Sequence, residues 1–330
     1  MIHNSDAFAR VLDRARGVLY GQVIGDNLGA LVEFCSAEDI AKRYPYGVRE
    51  LADGGTHNIA AGQPTDDSEM ALALARSLVR CEGYDADDVR ESYVRWANSD
   101  AFDIGEATTA ALLRRAPNPN SQANGALMRI SPLAIAYWRN PARAGELARK
   151  DAAITHPHPV CIDANSRFAS ALADVISGGL HQPRRGIGIS ALTEWLAAQS
   201  AQWEAEWQAS GAVLDSGEPD FSVHQGWLRF ALWALHEELR RVEDKTTTFE
   251  DSLVRVIGRG GDTDTNAAIV GAFLGGVFGA SAIPQRWRDV VDSCSPKRNR
   301  PTEYHPNDVA ELAEQLVAVG NLLDSALTNG

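Results

Sequence analysis

Apolar residues along this chain recur at helical spacing. Met70, Ala71, Leu74 and Leu78 share one helical face, as do Leu228, Leu232 and Leu235, while alternating strand-like runs are almost absent. The pattern predicts an all-α fold. Turn clusters punctuate it at Pro117-Asn118-Pro119-Asn120, Thr155-His156-Pro157-His158-Pro159 and Gly258-Arg259-Gly260-Gly261. Ser36 marks a helix start ahead of Ala37 to Arg43, and Thr247 with Glu250 has capping-box spacing ahead of Leu253, Val254 and Ile257. The uncharged run from Ala267 to Ile283 is shorter than the ~20 residues a membrane-spanning helix needs and follows directly on Asp262 and Asp264. It predicts a buried core helix whose glycines, Gly271, Gly275, Gly276 and Gly279, admit close neighbours.

No repeat at solenoid periods is visible, and no linker divides the chain convincingly. One domain over 1–330 is expected, with a loop or lid insertion around 200–223. Gly211, Gly217 and Pro219 make Gln208 to Val223 the most loop-like stretch, and Trp195, Trp203 and Trp207 ahead of it are expected to be buried.

Composition narrows the function. At 330 residues a sizeable core forms without staples, and Cys35, Cys81, Cys161 and Cys294 form no CxxC pair, which points to a reducing cytoplasm rather than a zinc ribbon or disulfide framework. A formal charge of −13 disfavours non-specific nucleic-acid binding, and the polar N-terminal stretch carries no export signal. No membrane partner is expected.

The chemistry-bearing signal is a pair of oxygen-rich runs, Thr65-Asp66-Asp67 and Asp262-Thr263-Asp264-Thr265, each ahead of an apolar helical pattern. Either alone reads equally as helix capping, with Thr or Asp at the cap and Asp complementing the helix dipole. Seven oxygen-bearing residues in two short runs exceed what two caps need. Four carboxylates invite hard divalent cations, which take all-oxygen ligands. Gly260 and Gly261 supply backbone free of Cβ where the chain turns before the second run.

Six segments in order resemble the ADP-ribosylglycohydrolase family. They are Gly21 to Phe34, Thr65-Asp66-Asp67, Phe102-Asp103-Ile104-Gly105, Asn124 to Arg129, Thr155 to Pro159, and Gly260 to Thr265. The resemblance implies an all-α multi-helix bundle with a cleft for ADP-ribose and two Mg²⁺ or Mn²⁺ ions held by Thr65, Asp66, Asp67, Asp262, Asp264 and Thr265. It puts Glu33 beside the metals as a gating or proton-transfer residue and Asp103 near the substrate ribose. The two together would form an acid–base pair; locally, Glu33 reads as a surface carboxylate and Asp103 as a helix cap. Ser121, Asn124, Gly125, Ala126, Leu127 and Met128 would cradle the diphosphate through backbone N–H groups at a helix start, with Gly105 near the ribose. A plain Asn-Gly turn is the local alternative.

His156 would lie toward the adenine or its ribose, with His158 beside it; both also read as ordinary loop histidines. Arg129 is expected to pair with a buried carboxylate. The sequence departs from the family's pattern at Asn27, where alanine is commoner, and at Gln122 and Ala123.

The expected activity is metal-dependent removal of ADP-ribose from a modified acceptor by attack of a metal-bridging water on the anomeric carbon. An ADP-ribosylated protein linked through arginine is favoured. Serine-linked ADP-ribose, O-acetyl-ADP-ribose or another small ADP-ribosyl conjugate remain open, as does a non-catalytic ADP-ribose reader or toxin-neutralising immunity protein.

Overall fold

The computed structural model describes residues 2–178, 187–214, 217–223 and 226–328, with side chains described over 6–178, 190–214, 217–223 and 226–325. Among them the chain is helical, with a few isolated bridges and no strand.

Its axis is a pair of helices, α1 (Ile2–Ala30) and α12 (Thr263–Phe278). Gly17, Gly21, Gly25 and Gly29 recur every four residues on α1 and so fall on one face. A Cβ added at Gly21 would lie 2.1 Å from the Gly271 carbonyl, and one at Gly17 would lie 2.1 Å from that of Gly275. The backbones can approach this closely because α1 presents glycine along the whole face and α12 presents Gly271 and Gly275 opposite Gly21 and Gly17. The seam ends at Gly29, where a Cβ would meet Asp264 Cα at 2.4 Å. The helix seam thus fixes the height of the second oxygen-rich run against α1. The expected core helix is present, but it stops at Phe278 instead of Ile283, because Gly279 turns out of the helix at φ 82°.

The first run opens α3 (Asp66–Arg80), whose apolar face packs against α6 (Ser131–Ala136) and α14 (Val309–Thr328). Asn27, the departure in the first segment, acts as a pin for the chain entering α3. Its Nδ2 donates to the Ala60 and Gln63 carbonyls at 3.1 and 2.8 Å, and its Oδ1 accepts from Gly62 N–H at 3.0 Å.

Two local expectations shift. Ser36 caps α2 (Ala37–Arg43) as predicted, accepting from Asp39 N–H. The cap of α11 (Phe249–Ile257) is Thr248 rather than Thr247, because the Thr247 hydroxyl is taken by Ser252 and the Arg255 guanidinium. The tryptophan-bearing helix α9 runs from Ile187 to Ser210, so the loop starts later than Gln208; 215 and 216 of that stretch lie outside the described residues. Trp207 is buried, stacked on Phe230 at 4.9 Å, with Trp203 beside it.

Candidate active site

Two helix starts face each other at the floor of a cleft of about 960 Å³, within the ~300–1,000 Å³ typical of small-molecule sites. Asp66 and Asp67 occupy the first turn of α3, and Asp264 and Thr265 that of α12. Thr65 and Asp262 stand at the two cap positions, yet neither side chain caps. Thr65 Oγ1 instead lies 2.8 Å from Asp26 Oδ1 and 3.1 Å from Asp67 Oδ2, while Asp262 Oδ2 accepts from Asn124 Nδ2 at 2.6 Å. Thr265 Oγ1 reaches across to Asp67 Oδ2 at 3.3 Å. Tertiary structure thus joins runs that lie about two hundred residues apart, and capping does not account for them.

Gly260 and Gly261 take the tight turn expected of them. Both are left-handed, at φ 77° and 73°, and a Cβ on Gly261 would sit 2.3 Å from the Phe221 carbonyl.

The electrostatics are those of a site built around positive charge. Burial first, and then neighbouring carboxylates, push Asp66, Asp67 and Asp264 well above the usual carboxylate range. Burial raises Asp262 as well and takes Asp26 to about 6. Asp67 Oδ1 and Asp264 Oδ2 are buried with no hydrogen-bond partner. Unpaired buried carboxylate oxygens are costly unless a cation meets them, so the donor set fits hard divalent ions.

Glu33 is buried, not a surface carboxylate, and pushed up to about 7 by that burial. A ligand oxygen from each of Glu33, Asp262 and Asp264 falls within 4.8 Å of the others. Asp103 is no helix cap: Gly105 holds that position for α5 (Glu106–Leu112), and Asp103 itself is left-handed at φ 59°. His57, which the sequence did not single out, bridges the two carboxylates. Its Nε2 lies 2.7 Å from Glu33 Oε2 and 3.1 Å from Asp103 Oδ2.

The other predicted residues separate into wall and scaffold. Gly105, Ser121, Asn124, Gly125, Met128 and His156 line the cleft. Ala126 and Leu127 are buried and outside its lining, and His158 caps α8 (Pro159–Ser177), accepting from Val160 N–H at 3.2 Å. The 124–130 segment is a series of turns rather than a helix start, since α6 begins only at Ser131; neither Asn124 nor Gly125 has the positive φ of an Asn-Gly hairpin turn. Asn124 N–H is already donated to the Gly226 carbonyl at 3.0 Å.

The neutral ring of His156 packs over Gly125, where a Cβ would meet Cε1 at 2.9 Å. Burial, helped by the Arg129 charge, lowers it to about 3. Arg129 meets its expected carboxylate, Asp151, in a fully buried pair.

The opposite wall comes from segments without a motif. Trp203 projects from α9, and Trp227 and Arg229 stand at the start of α10 (Leu228–Glu243), the Arg229 guanidinium 4.0 Å from the Trp227 ring centre. Gln122 O accepts from Leu228 N–H at 3.2 Å and so ties this wall to the opposite one.

An all-helical fold with a carboxylate-floored cleft between two helix starts defines a candidate cation-binding site. The family model for ADP-ribosylglycohydrolase matches residues 8–325, so the chain belongs to that family. It is similar to the ADP-ribosyl-[dinitrogen reductase] glycohydrolase of Rhodospirillum rubrum, at 30% identity over 86% of this chain and 91% of that protein. It also resembles the ADP-ribosylarginine hydrolase Tri1 of Serratia proteamaculans, at 27% identity over 92% of this chain and 79% of that one. A solved ADP-ribosylglycohydrolase-related protein complex superposes with a TM-score of 0.69 at 26% identity, covering 94% of this chain and 99% of the other. No helix among the described residues is long and apolar enough to cross a membrane.

Proposed function

We propose that the protein is a metal-dependent hydrolase that removes ADP-ribose from an acceptor, with ADP-ribosyl-arginine on a protein the favoured substrate. The observation that carries the reading is the pair of partnerless buried oxygens, Asp67 Oδ1 and Asp264 Oδ2, on side chains adjacent in sequence to the cleft-lining Asp66 and Thr265. Thr65, Asp66, Asp67, Asp262, Asp264 and Thr265 would hold two Mg²⁺ or Mn²⁺ ions. Such a pair supplies Lewis acidity and a readily deprotonated water.

The chain's own groups then have distinct tasks. Glu33, with its carboxyl near 7, can take or hold a proton close to neutrality. Asp103 stands beside it at a corner of the cleft wall, and beyond the oxygen each shares with His57 the two carboxylates keep one oxygen each to accept from a guanidinium leaving group. That corner favours arginine over a neutral serine acceptor. Gly125 lines the cleft and, lacking a Cβ, makes room for the His156 ring, and that buried neutral ring offers the adenosine side a hydrogen bond without adding charge. The four cysteines are all free, which suits a cytoplasmic site of action.

The test is release of ADP-ribose from arginine-linked and serine-linked conjugates, with Mg²⁺ or Mn²⁺ and again in EDTA. Metal-dependent release, faster from arginine, is expected. Faster release from serine would remove the arginine preference, and no release from either would overturn the reading.

A further inference from the structure

We propose that His57 is a positioning residue that ties the Glu33 and Asp103 carboxylates into one pair and leaves their second oxygens for the cleft. The inference rests on the reading of those two carboxylates as the acid–base corner.

Three observations carry it. First, His57 Nε2 contacts one oxygen of each carboxylate, Glu33 Oε2 and Asp103 Oδ2, and both carboxylates line the cleft while the imidazole does not. The histidine therefore stands behind the pair. Second, the turn that carries it is fixed on several sides. Thr56 N–H donates to the Ala30 carbonyl at 3.1 Å, Thr56 Oγ1 to the Glu33 carbonyl at 3.0 Å, and Gly54 and Ile59 exchange two backbone hydrogen bonds of 2.9 Å. Arg298 donates to the His57 carbonyl, and the Phe102 ring lies 5.6 Å from the imidazole. Third, the surroundings are strongly anionic. One Glu33 carboxylate oxygen also has oxygens of Asp262 and Asp264 within 4.8 Å, so two ionised carboxylates at this corner would repel each other and the cluster below.

A lone pair on Nε2 facing two carboxylates would add to that repulsion, whereas an N–H relieves it. Hydrogen bonds to Asp103 and Glu33 raise the imidazole to about 10, in keeping with a proton on Nε2. A metal ion between these three groups fits less well. Two ligand atoms at ~2.1 Å from one ion sit ~3 Å apart, and 2.7 Å is a hydrogen-bond separation. Without the clamp, nothing holds the Glu33 and Asp103 carboxylates together against that repulsion, and the corner opens.

The experiment uses the full chain loaded with Mn²⁺ and compares wild type with His57→Ala and His57→Gln on ADP-ribosyl-arginine. The alanine variant should lose roughly 10- to 100-fold in kcat with KM nearly unchanged, and glutamine, whose NH₂ offers one N–H to each carboxylate, should recover about tenfold of that loss. Thermal unfolding of each variant should stay near wild type. In parallel, ¹⁵N NMR of the wild-type imidazole in the Mg²⁺-loaded protein near pH 7.5 should find Nε2 protonated, a readout that does not depend on turnover. A wild-type protein that releases no ADP-ribose would sink the functional reading and leave the NMR test standing. A His57 imidazole without a proton on Nε2, an alanine variant with wild-type kcat, or a glutamine variant no better than alanine would overturn the proposal.

Discussion

A single hydroxyl proton at Thr65 has two acceptors in reach, Asp26 Oδ1 at 2.8 Å and Asp67 Oδ2 at 3.1 Å. If it goes to Asp67, one oxygen of a candidate ligand is consumed. If it goes to Asp26, both Thr65 Oγ1 and Asp67 keep lone pairs for a cation. Asp26, which also accepts from Thr65 and Ser68 N–H, therefore sets the orientation of the first run. Asp26→Asn should weaken Mn²⁺ binding by roughly 10- to 100-fold, measured calorimetrically. An unchanged affinity would assign Asp26 to helix capping alone.

Asp264 makes a prediction of opposite sign for the metal-free protein. Its folded-state pKa lies well above 3.8, so its favourable contribution to stability is complete below that value and is lost as pH rises through the higher one. Asp264→Asn removes this titration. In EDTA the variant should melt above wild type by about 2 °C or more, with a margin that widens from pH 5 to pH 8, although it loses Mn²⁺-dependent turnover. A margin that shrinks over that interval would contradict the assignment.

At the level of elements, the site inherits its precision from the α1–α12 seam. Gly21→Ala would place Cβ 2.1 Å from the Gly271 carbonyl, an obstacle of backbone that no side-chain rotation relieves. Chemical denaturation should report a loss of at least about 2 kcal/mol, and the seam's far end at Asp264 should bind Mn²⁺ less tightly. Unaltered stability would mean the helices can part without cost.

This seam was legible in part. The glycines of the 267–283 run announced a close neighbour, and the periodicity around Met70 and Leu74 announced α3. Boundaries were weaker because they depend on competition for one hydroxyl, as at Thr247 and Thr248. The two oxygen-rich runs stood out locally, but His57 did not. A lone histidine in a turn has no periodic signature, and only the contacts of Thr56 with Ala30 and Glu33 bring it to the site. The wall at Trp227 and Arg229 was hidden likewise, since it faces the cleft through pairing of 122–124 with 226–228, about a hundred residues apart. His158 shows the converse: a residue inside a suggestive motif whose ring caps a helix.

For the molecule as a whole, a chain with a formal charge of −13 gathers several of its carboxylates at one cleft and leaves two buried carboxylate oxygens without partners. That arrangement makes sense once divalent cations complete it. The most direct measurement starts from EDTA-stripped protein and follows ADP-ribose release from an arginine-linked conjugate as Mn²⁺ is added back. Turnover should rise with uptake of two ions per chain and be absent in Asp264→Ala. Equal release in excess EDTA, or full activity in that variant, would contradict the account.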